Sequence, residues 1–248
     1  MTEQLCVIIV NWNRPADTID CVRSLLAAGV PETAVLLVDN GSEDESVAQF
    51  TTAFPAATLL PLPHNLGFAG GYNAGIEAAL QTDAACLFIF YNVTSVASDC
   101  LLQLMQCEAL VRIPKILYFD DPKRIWAAGA RWRAWPPGVV MRGFQAADNG
   151  RFDTPMPLDY ATACALLVRR TVFETIGTFA ESYGSYMEDY DFCYRLRQAG
   201  LPMAYMPKGR VFHKVSLTLG EGSPQKWYYL GRNVTLFMRE NGRFSRLT

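Results

Sequence analysis

The chain has no excess of basic residues. Its 248 residues include 22 Lys and Arg against 24 Asp and Glu, which gives a formal net charge of -2 at pH 7. Proteins that bind nucleic acid usually present a strongly basic surface, so the composition does not support nucleic acid as a partner. Half of the residues are hydrophobic and 19% are charged. These fractions are ordinary for a soluble globular protein with a substantial core.

The sequence also lacks paired cysteines and long apolar segments. Its seven cysteines occur singly, none of them forms a Cys-x-x-Cys pair, and their number is odd. We therefore expect free thiols in a reducing compartment. No segment approaches the ~20 apolar residues that a membrane-spanning helix needs, and the opening run "LCVIIV" is too short for the core of a signal peptide. The sequence thus predicts a cytoplasmic location.

Strand-like and helix-like patterns alternate through the first part of the chain. Apolar runs that are typical of buried strands begin near Leu5, Ala34, Ala57 and Ala85. Helical patterns are predicted from about Pro15, from Ser42, through "IEAALQ", and over residues 98–110, 171–176, 188–199 and 227–240. This alternation predicts an α/β fold with a mainly parallel sheet flanked by helices.

The pattern changes after Lys115, where short strand-like pieces are joined by turns rich in Pro and Gly. No internal repeat or low-complexity linker separates the two parts of the chain. We therefore predict a single domain over residues 1–248. Its first half, to about residue 112, is the nucleotide-binding half, and residues 113–248 form a mixed second half.

Polar clusters follow three of the predicted strands, at residues 11–13, 39–42 and 91–94. In parallel sheets of this kind, ligands bind beyond the carboxyl ends of the strands. We therefore expect these clusters to lie together along one edge. Asp39 could accept hydrogen bonds from a ribose or a base, and the alternative is that it caps a turn.

A glycine-rich segment, "NLGFAGGYNAG", holds four glycines in nine residues. Glycine permits close approach of the backbone to a ligand, and a helix that begins just behind favours anions. The alternative is a tight loop that packs a helix on a strand. The spacing is not that of a dinucleotide-binding fingerprint, and the first strand-to-helix turn, "NWNRPA", has no glycine. Both observations disfavour an NAD-linked oxidoreductase.

Three carboxylates cluster in "YMEDYDFCYRLRQAG". Glu188 and Asp189 begin a predicted helix, where acids are stabilised whether or not they have a function. Asp189 beside a cleft would also be well placed to take a proton from a hydroxyl group. Asp191 and Arg195 are four residues apart and can form a structural ion pair. His213, one of only two histidines, is either a satisfied polar group or a ligand.

Seven stretches, in this order, resemble the family 2 inverting glycosyltransferases, especially their rhamnosyltransferase-like bacterial branch. They extend from about Cys6 to Asn233. The stretches are "VIIVNWNRPADTIDCVRSL", "VLLVDNGSEDES", "HNLGFAGGYNAGI", "DYATACALLVRRTVFETIGTFAE", "YMEDYDFCYRLRQAG", "RVFH" and "YYLGRN".

The resemblance implies a GT-A fold, a Rossmann-like mixed sheet that binds a nucleoside-diphosphate sugar. It implies Asp189 as the catalytic base with support from Glu188, and it places Asp191 and Arg195 on the acceptor side, within residues 113–248. The residues implied to bind the nucleotide sugar are Asn11, Asn13, Asp39, Asn65, Gly67, Gly71, Asn73 and Asn92.

The resemblance also implies a divalent metal, Mg²⁺ or Mn²⁺, held with the help of His213 and of an Asp at the end of the fourth strand. The best alignment puts Val93 at that Asp position, and a shift by one residue would put Asn92 there instead, which is still not an anion. Two hypotheses follow. The chain is an active transferase that uses His213, Glu188 or a cation for the diphosphate, or it is a degenerate homologue that binds a nucleotide sugar with little or no turnover.

A glycan or a lipid-linked saccharide is the acceptor that the resemblance implies, and dTDP-rhamnose is the favoured donor ahead of UDP- and GDP-sugars. Aromatic and basic residues near the end, including Trp227 and Tyr228, are compatible with peripheral contact at the inner face of the cell membrane. A helix packed on the core is the alternative. Relatives in this branch often continue with more helix beyond the position of Thr248.

Overall fold

The structure is a computed structural model, and it describes residues 4–133, 138–215 and 224–241. The strands are β1 Leu5–Asn11, β2 Val35–Asp39, β3 Thr58–Pro61, β4 Cys86–Phe90, β5 Thr94–Val96, β6 Val111–Tyr118, β7 Ile125–Ala127, β8 Ala130–Arg133, β9 Gly138–Met141, β10 Met156–Leu158, β11 Ala165–Arg169 and β12 Met203–His213. The α-helices are α1 Pro15–Ala27, α2 Ser46–Ala53, α3 Gly67–Leu80, α4 Cys100–Met105, α5 Arg170–Ile176, α6 Glu188–Gln198 and α7 Pro224–Asn241.

A mixed sheet of ten strands organises the described part of the chain. Eight strands lie in the order β10-β12-β6-β11-β4-β1-β2-β3, while β5 pairs with β12 and β7 pairs with β6. β1 to β4 are parallel to one another, as are β6 and β12. β11 runs antiparallel between β4 and β6. β8 and β9 form a separate hairpin.

Apolar side chains cover both faces of this sheet. Along β1, Val7 and Ile9 belong to one buried cluster and Ile8 belongs to the other. The first cluster receives side chains from α1, α2 and α4, and the second receives them from α3, α5 and α6. Because successive strand residues face opposite sides, a strand buried on both faces requires a continuous apolar run such as "LCVIIV". The predicted sheet flanked by helices is confirmed.

Three predicted helices differ from the structure. The helix predicted through "IEAALQ" begins earlier, at Gly67, so that α3 includes the glycine-rich segment. The helix expected to open at Ser42 begins at Ser46 instead, because the N–H and hydroxyl of Ser42 both donate to the Asp39 carboxylate in the turn. The helix expected over residues 98–110 is limited to α4. The Leu110 carbonyl accepts a hydrogen bond of 2.8 Å from Arg169 N–H in β11, so the end of this segment is drawn towards the sheet.

The carboxyl ends of β1, β2 and β4 meet at one edge of the sheet, as predicted. Asn11 lies opposite Asp39 in the β1–β2 register, and His213 at the end of β12 pairs with Thr94 just beyond β4. All seven cysteines are free thiols. No helix in the described ranges is both long enough and apolar enough to cross a membrane.

Gly75 of α3 packs directly on β1 and β2. A Cβ atom there would lie 2.5 Å from Ile8 Cγ2 and 2.9 Å from Val38 Cγ2. We expect Gly75→Ala to lower the free energy of unfolding by ~1–3 kcal/mol, in spite of the better helix propensity of alanine, because the core is overpacked. Urea denaturation measures this change.

The matched control is Gly231→Ala in α7, where nothing lies within 4 Å of an added Cβ. We expect this variant to be at least as stable as the parent protein. Equal stability of the two variants would contradict the close packing of α3 on the sheet.

Candidate active site

A large cavity opens at the carboxyl edge of the parallel strands. Its volume is about 1040 Å³, at the upper end of the ~300–1,000 Å³ that small-molecule sites usually occupy. Seven of the site positions predicted from the sequence line this cavity: Asn65, Gly67, Asn92, Val93, Glu188, Asp189 and His213. Those that lie outside its lining are Asn11, Asn13, Asp39, Gly71, Asn73, Asp191 and Arg195.

Asp189 lies in the first turn of α6 and is only partly exposed. Its Oδ2 accepts a hydrogen bond of 2.8 Å from the Tyr160 hydroxyl, and Ala163 N–H donates to the same oxygen at 3.4 Å. Burial raises the pKa of Asp189, and these two hydrogen bonds limit the rise because they favour the charged form. Asp189 is therefore a stronger base than a solvated aspartate, and its donors fix its position.

Glu188 precedes Asp189 and is 6% exposed. Its Oε2 has no hydrogen-bond partner among the described residues. Burial, followed by the charge of Asp189, raises the pKa of Glu188 well above its ordinary value. Since two adjacent buried carboxylates do not both ionise readily, Glu188 favours its protonated form and the negative charge resides on Asp189.

A turn with unusual backbone conformation directs these two acids. Tyr186 and Met187 have φ values of 65° and 77°, a region that residues other than glycine rarely adopt. Asn233 of α7 is completely buried, and its Nδ2 donates to the carbonyls of Tyr183, Ser185 and Tyr186 at 2.9, 2.9 and 2.7 Å. α7 therefore holds the turn that precedes α6, a role that the sequence analysis did not give to Asn233.

Asn11 and Asp39 lie below the cavity. Asn11 is completely buried, and its Nδ2 donates to Asp39 Oδ2 at 2.9 Å while its Oδ1 accepts a bond of 2.7 Å from the Thr18 hydroxyl. Asn92 Nδ2 in turn donates to Thr18 Oγ1 at 3.0 Å. This network ties together the ends of β1, β2 and β4. Direct contacts of Asn11 and Asp39 with a nucleoside stay predictions.

Asn40 fixes the loop before α3 by three hydrogen bonds. The sequence patterns did not predict this role, although Asn40 directly follows Asp39. Its Oδ1 accepts from Leu66 N–H at 2.9 Å, and its Nδ2 donates to the Gly67 carbonyl at 3.0 Å and to Asn65 Oδ1 at 3.1 Å. Gly67 begins α3 with a φ of 74°, a conformation that favours glycine. Asn65 and Gly67 are thereby placed in the cavity wall.

Asn13, Gly71 and Asn73 contribute to the surrounding framework. Asn13 has a φ of 51°, and its Oδ1 accepts a hydrogen bond of 2.9 Å from Glu43 N–H. A Cβ at Gly71 would lie 3.0 Å from Asn40 Nδ2. The Asn73 side chain bonds both the carbonyl and the N–H of Phe179, at 2.8 and 2.9 Å. Their predicted contacts with a nucleotide stay predictions.

Asp191 and Arg195 form the ion pair that their spacing predicts, with Arg195 Nε 2.7 Å from Asp191 Oδ2. The same guanidinium donates to the carbonyls of Ile176 and Thr178 at 2.5 and 2.7 Å. The pair therefore fastens α6 to the end of α5. Its role on the acceptor side stays a prediction.

His213 ends β12 and is 7% exposed. Its Nδ1 has no hydrogen-bond partner within the described ranges, and its ring packs nearly perpendicular to that of Trp126 at a centroid distance of 4.7 Å. Burial lowers the pKa of His213 to about 4. The imidazole is therefore neutral near pH 7, and it lines the cavity together with Val93.

Trp12, Arg14 and Lys214 also line the cavity, although the sequence analysis gave them no role. Trp12 stands between the two asparagines of "NWN", and Lys214 follows His213 in "RVFHKVS". Aromatic rings stack on nucleobases, and ammonium and guanidinium groups bind phosphates. Position next to a predicted strand end was the signal that could have identified them.

The sequence comparisons agree with this geometry. Residues 6–93 match the family model described as glycosyl transferase family 2. Over this segment the chain is a homologue of the family 2 glycosyltransferases. It is 27% identical to the N-acetylglucosaminyl-diphospho-decaprenol L-rhamnosyltransferase of Mycobacterium tuberculosis, over 89% of this chain and 79% of that protein. It is 26% identical to the low-salt glycan biosynthesis hexosyltransferase Agl10 of Haloferax volcanii, over 99% and 78%. The predicted resemblance to family 2 is confirmed over residues 6–93.

Solved glycosyltransferase structures share the fold. GalNAc-T7 with UDP, GalNAc and Mn²⁺ superposes on this homologue with a TM-score of 0.70 at 16% identity, over 89% of this chain and 45% of the other. The mannosyltransferase PcManGT from Pyrobaculum calidifontis, with GDP-Man and Mn²⁺, gives 0.64 at 12%, over 97% and 64%. The homologue thus spans less than two thirds of either structure, and the likeness confirms the predicted GT-A fold.

The residues of this homologue do not fit the divalent metal that the resemblance implies. Mg²⁺ and Mn²⁺ prefer oxygen ligands, usually with one or two carboxylates. Val93 offers no side-chain oxygen at the expected position, and His213 supplies only a nitrogen. Within the described ranges, no group of three or more His, Cys, Asp or Glu side chains is arranged to hold a metal. His213 as a metal ligand stays a prediction.

Asn233 supports the acid-bearing turn, so its removal should weaken both the turn and the fold. We expect Asn233→Ala to lower the free energy of unfolding by ~1–3 kcal/mol, since the carbonyls it satisfies lose their donor in a buried site. Chemical denaturation measures this loss, and hydrogen exchange at residues 185–189 reports the loosened turn.

Thr235→Ala is the matched control in the same helix, because Thr235 is exposed and its hydroxyl bonds only the Gly231 carbonyl. Its unfolding free energy should stay within ~0.5 kcal/mol of the parent value. Unchanged exchange in Asn233→Ala would show that α7 does not hold the turn.

Proposed function

We propose that this homologue transfers a sugar from a nucleoside-diphosphate sugar to a hydroxyl group of a glycan or lipid-linked acceptor, with inversion at the anomeric carbon. The observation that carries the proposal is the position of Asp189. It is a base with a raised pKa in the wall of a cavity that is also lined by Asn65, Gly67 and the ends of the parallel strands.

In the proposed reaction, the acceptor oxygen attacks the anomeric carbon while Asp189 takes the proton of the hydroxyl. The bond between that carbon and the diphosphate oxygen breaks, and its electron pair leaves with the nucleoside diphosphate. A general base of this kind usually contributes ~10²–10⁴-fold in rate. Glu188, in its protonated form, keeps the charge of the pair on Asp189.

The nucleotide is assigned to the strand edge. Trp12, which is 46% exposed, provides an aromatic surface for the base. Asn65 and the start of α3 at Gly67 provide polar backbone and side-chain groups. Asn11 and Asp39 act from below through the network that joins the strand ends, and Asn92 extends this network into the cavity wall.

Rhamnose is the sugar we favour, because one of the relatives carries that name. That relative's name also includes a diphospho-decaprenol acceptor, which supports a lipid-linked saccharide here. Peripheral contact with the inner face of the membrane belongs to the same proposal, together with a cytoplasmic location. Trp227 and Tyr228 of α7 are 63% and 66% exposed, whereas Phe237 of the same helix is packed in the core.

A second function, nucleotide-sugar binding with little or no turnover, is favoured by Val93. Valine cannot coordinate a hard cation, and the position is 1% exposed. The two proposals differ in turnover only. A parent protein that binds a nucleoside diphosphate but releases none from any donor would support the binding function.

Calorimetric titration of UDP, dTDP and GDP tests the binding site, and release of dTDP from dTDP-rhamnose, with lipid-linked N-acetylglucosamine present, tests transfer. We expect Asp189→Asn to keep the nucleotide affinity and to lower turnover by ~10²–10⁴-fold, because it removes the base and preserves the shape. Asp83→Asn, at an exposed site outside the cavity, should retain full activity. Turnover by Asp189→Asn at the parent rate would contradict the assignment.

The pH profile gives a second test of the base. Turnover should fall as the pH drops through the raised pKa of Asp189, because protonation removes the base. Tyr160→Phe deletes a hydrogen bond that holds this pKa down, so the acid limb of kcat/KM should move to higher pH.

Tyr194→Phe is the matched control on α6, since Tyr194 makes a ring contact with Phe237 but does not line the cavity. Its acid limb should coincide with that of the parent. A shift of the Tyr160→Phe limb to lower pH would overturn the assignment.

A further inference from the structure

The point where the resemblance expects a metal-binding carboxylate lies next to a lysine. Lys214 N–H donates to the Val93 carbonyl at 2.9 Å, and both residues line the cavity. The neighbouring pair, His213 and Thr94, is in β-register. The residue that pairs with the expected carboxylate position is therefore a lysine, and both residues belong to the cavity lining.

A second cation is coupled to the first through a shared carboxylate. Lys214 Nζ lies 2.9 Å from Asp17 Oδ1, and Arg14 Nη2 lies 2.7 Å from Asp17 Oδ2. Burial raises the pKa of Asp17, but its hydrogen bonds with Lys214 and Arg14 outweigh this and lower it overall, so Asp17 stays anionic. The three groups together carry one net positive charge at the cavity wall.

Solvent weakens this charge only in part. The side chain of Lys214 is 22% exposed and that of Asp17 is 17% exposed, and Lys214 Nζ lies 5.1 Å from the centre of the Phe119 ring. Asp20, at 3.8 Å from Lys214, is 64% exposed, so its charge is largely screened. Partly buried charges interact more strongly with an incoming anion than exposed ones do.

We propose that Lys214, together with Arg14, supplies the positive charge that stabilises the departing diphosphate, and that this site does not require a divalent metal. The inference rests on the proposed function. When the anomeric bond breaks, its electron pair adds negative charge to the diphosphate, and the acceptor proton goes to Asp189. In this step Lys214 neither gives nor takes a proton and acts by its charge.

The same charge explains why Val93 is tolerated. A carboxylate at that position would lie beside Lys214 and form an ion pair with it, which would withdraw the cation from the diphosphate. A divalent ion there would be repelled by the lysine charge, and Val93 would offer it no side-chain oxygen. Valine keeps the position neutral and apolar.

The test is calorimetry of the full chain with UDP, dTDP and GDP and with the corresponding monophosphates, in EDTA and again in Mn²⁺. For the diphosphate that binds most tightly, we expect Mn²⁺ to change the Kd by less than about 2-fold. We expect Lys214→Met to weaken that diphosphate by about 10–100-fold, as for a lost charge-assisted bond, and the monophosphate much less.

Two variants serve as controls for Lys214→Met. Lys214→Arg keeps the charge and should restore most of the diphosphate affinity. Lys208→Met removes an exposed lysine from β12, the strand that Lys214 follows, outside the cavity, and should bind as the parent does. Loss of affinity in Lys214→Arg equal to that in Lys214→Met would overturn the role of charge.

Val93→Asp gives an independent arm. Alone, it should weaken the diphosphate without restoring a response to Mn²⁺, because the new carboxylate pairs with Lys214. The double variant Val93→Asp/Lys214→Met should gain a response to Mn²⁺. Circular dichroism confirms that each variant is folded. If the Val93→Asp variants do not fold, the comparison of Lys214→Met with Lys214→Arg still tests the proposal.

The outcomes distinguish failure of the proposed function from failure of the inference about Lys214. If none of the three diphosphates binds, the proposed function fails and takes this inference with it. If one diphosphate binds, the proposed function survives. If Mn²⁺ then tightens that binding by 10-fold or more, either in the parent or in Val93→Asp with Lys214 in place, the inference that the site works without a metal is overturned. Mn²⁺-indifferent binding that depends on Lys214 supports it.

Discussion

The buried amide of Asn11 is the contact on which the cavity depends. β1, β2 and β4 run parallel, so their carboxyl ends meet at one edge, where unpaired polar groups would be costly. Asn11 satisfies Asp39 on one side and Thr18 on the other, and Thr18 receives Asn92. One side chain thereby fixes three strand ends and the start of α1. Arg14, which precedes α1, is placed in the cavity wall as a result.

The second half of the chain completes the cavity with a strained turn that a buried asparagine holds in place. The acids of α6 follow a turn in which Tyr186 and Met187 adopt left-handed conformations, and Asn233 holds this turn from α7. Strain of this kind persists only where the surroundings enforce it. Two buried asparagines, one beneath the nucleotide side and one beside the acids, therefore fix the two parts between which a transferred sugar would lie.

The sequence predicted the parts of this architecture that rest on local pattern. Continuous apolar runs identified β1 and β4, and two residues that the resemblance implies, Asp189 and Gly67, line the cavity. Sequence patterns did not predict the features that depend on tertiary contacts. Asn40 and Asn233 look like ordinary polar residues until the carbonyls that they bind are brought near. The end of α4 could not be foreseen, because the Leu110 carbonyl pairs with a strand 59 residues further along the chain. The position of Lys214 beside Val93 likewise exists only in the folded sheet.

The central claim is that this cavity binds a nucleoside diphosphate between an aromatic strand end and a fixed cation. A crystal structure of the chain soaked with UDP, dTDP or GDP in EDTA tests it most directly. The account predicts the base beside Trp12 and diphosphate oxygens within hydrogen-bonding distance of Lys214 Nζ. A nucleotide bound outside the cavity, or a diphosphate in it that contacts neither Lys214 nor Arg14, would contradict the account.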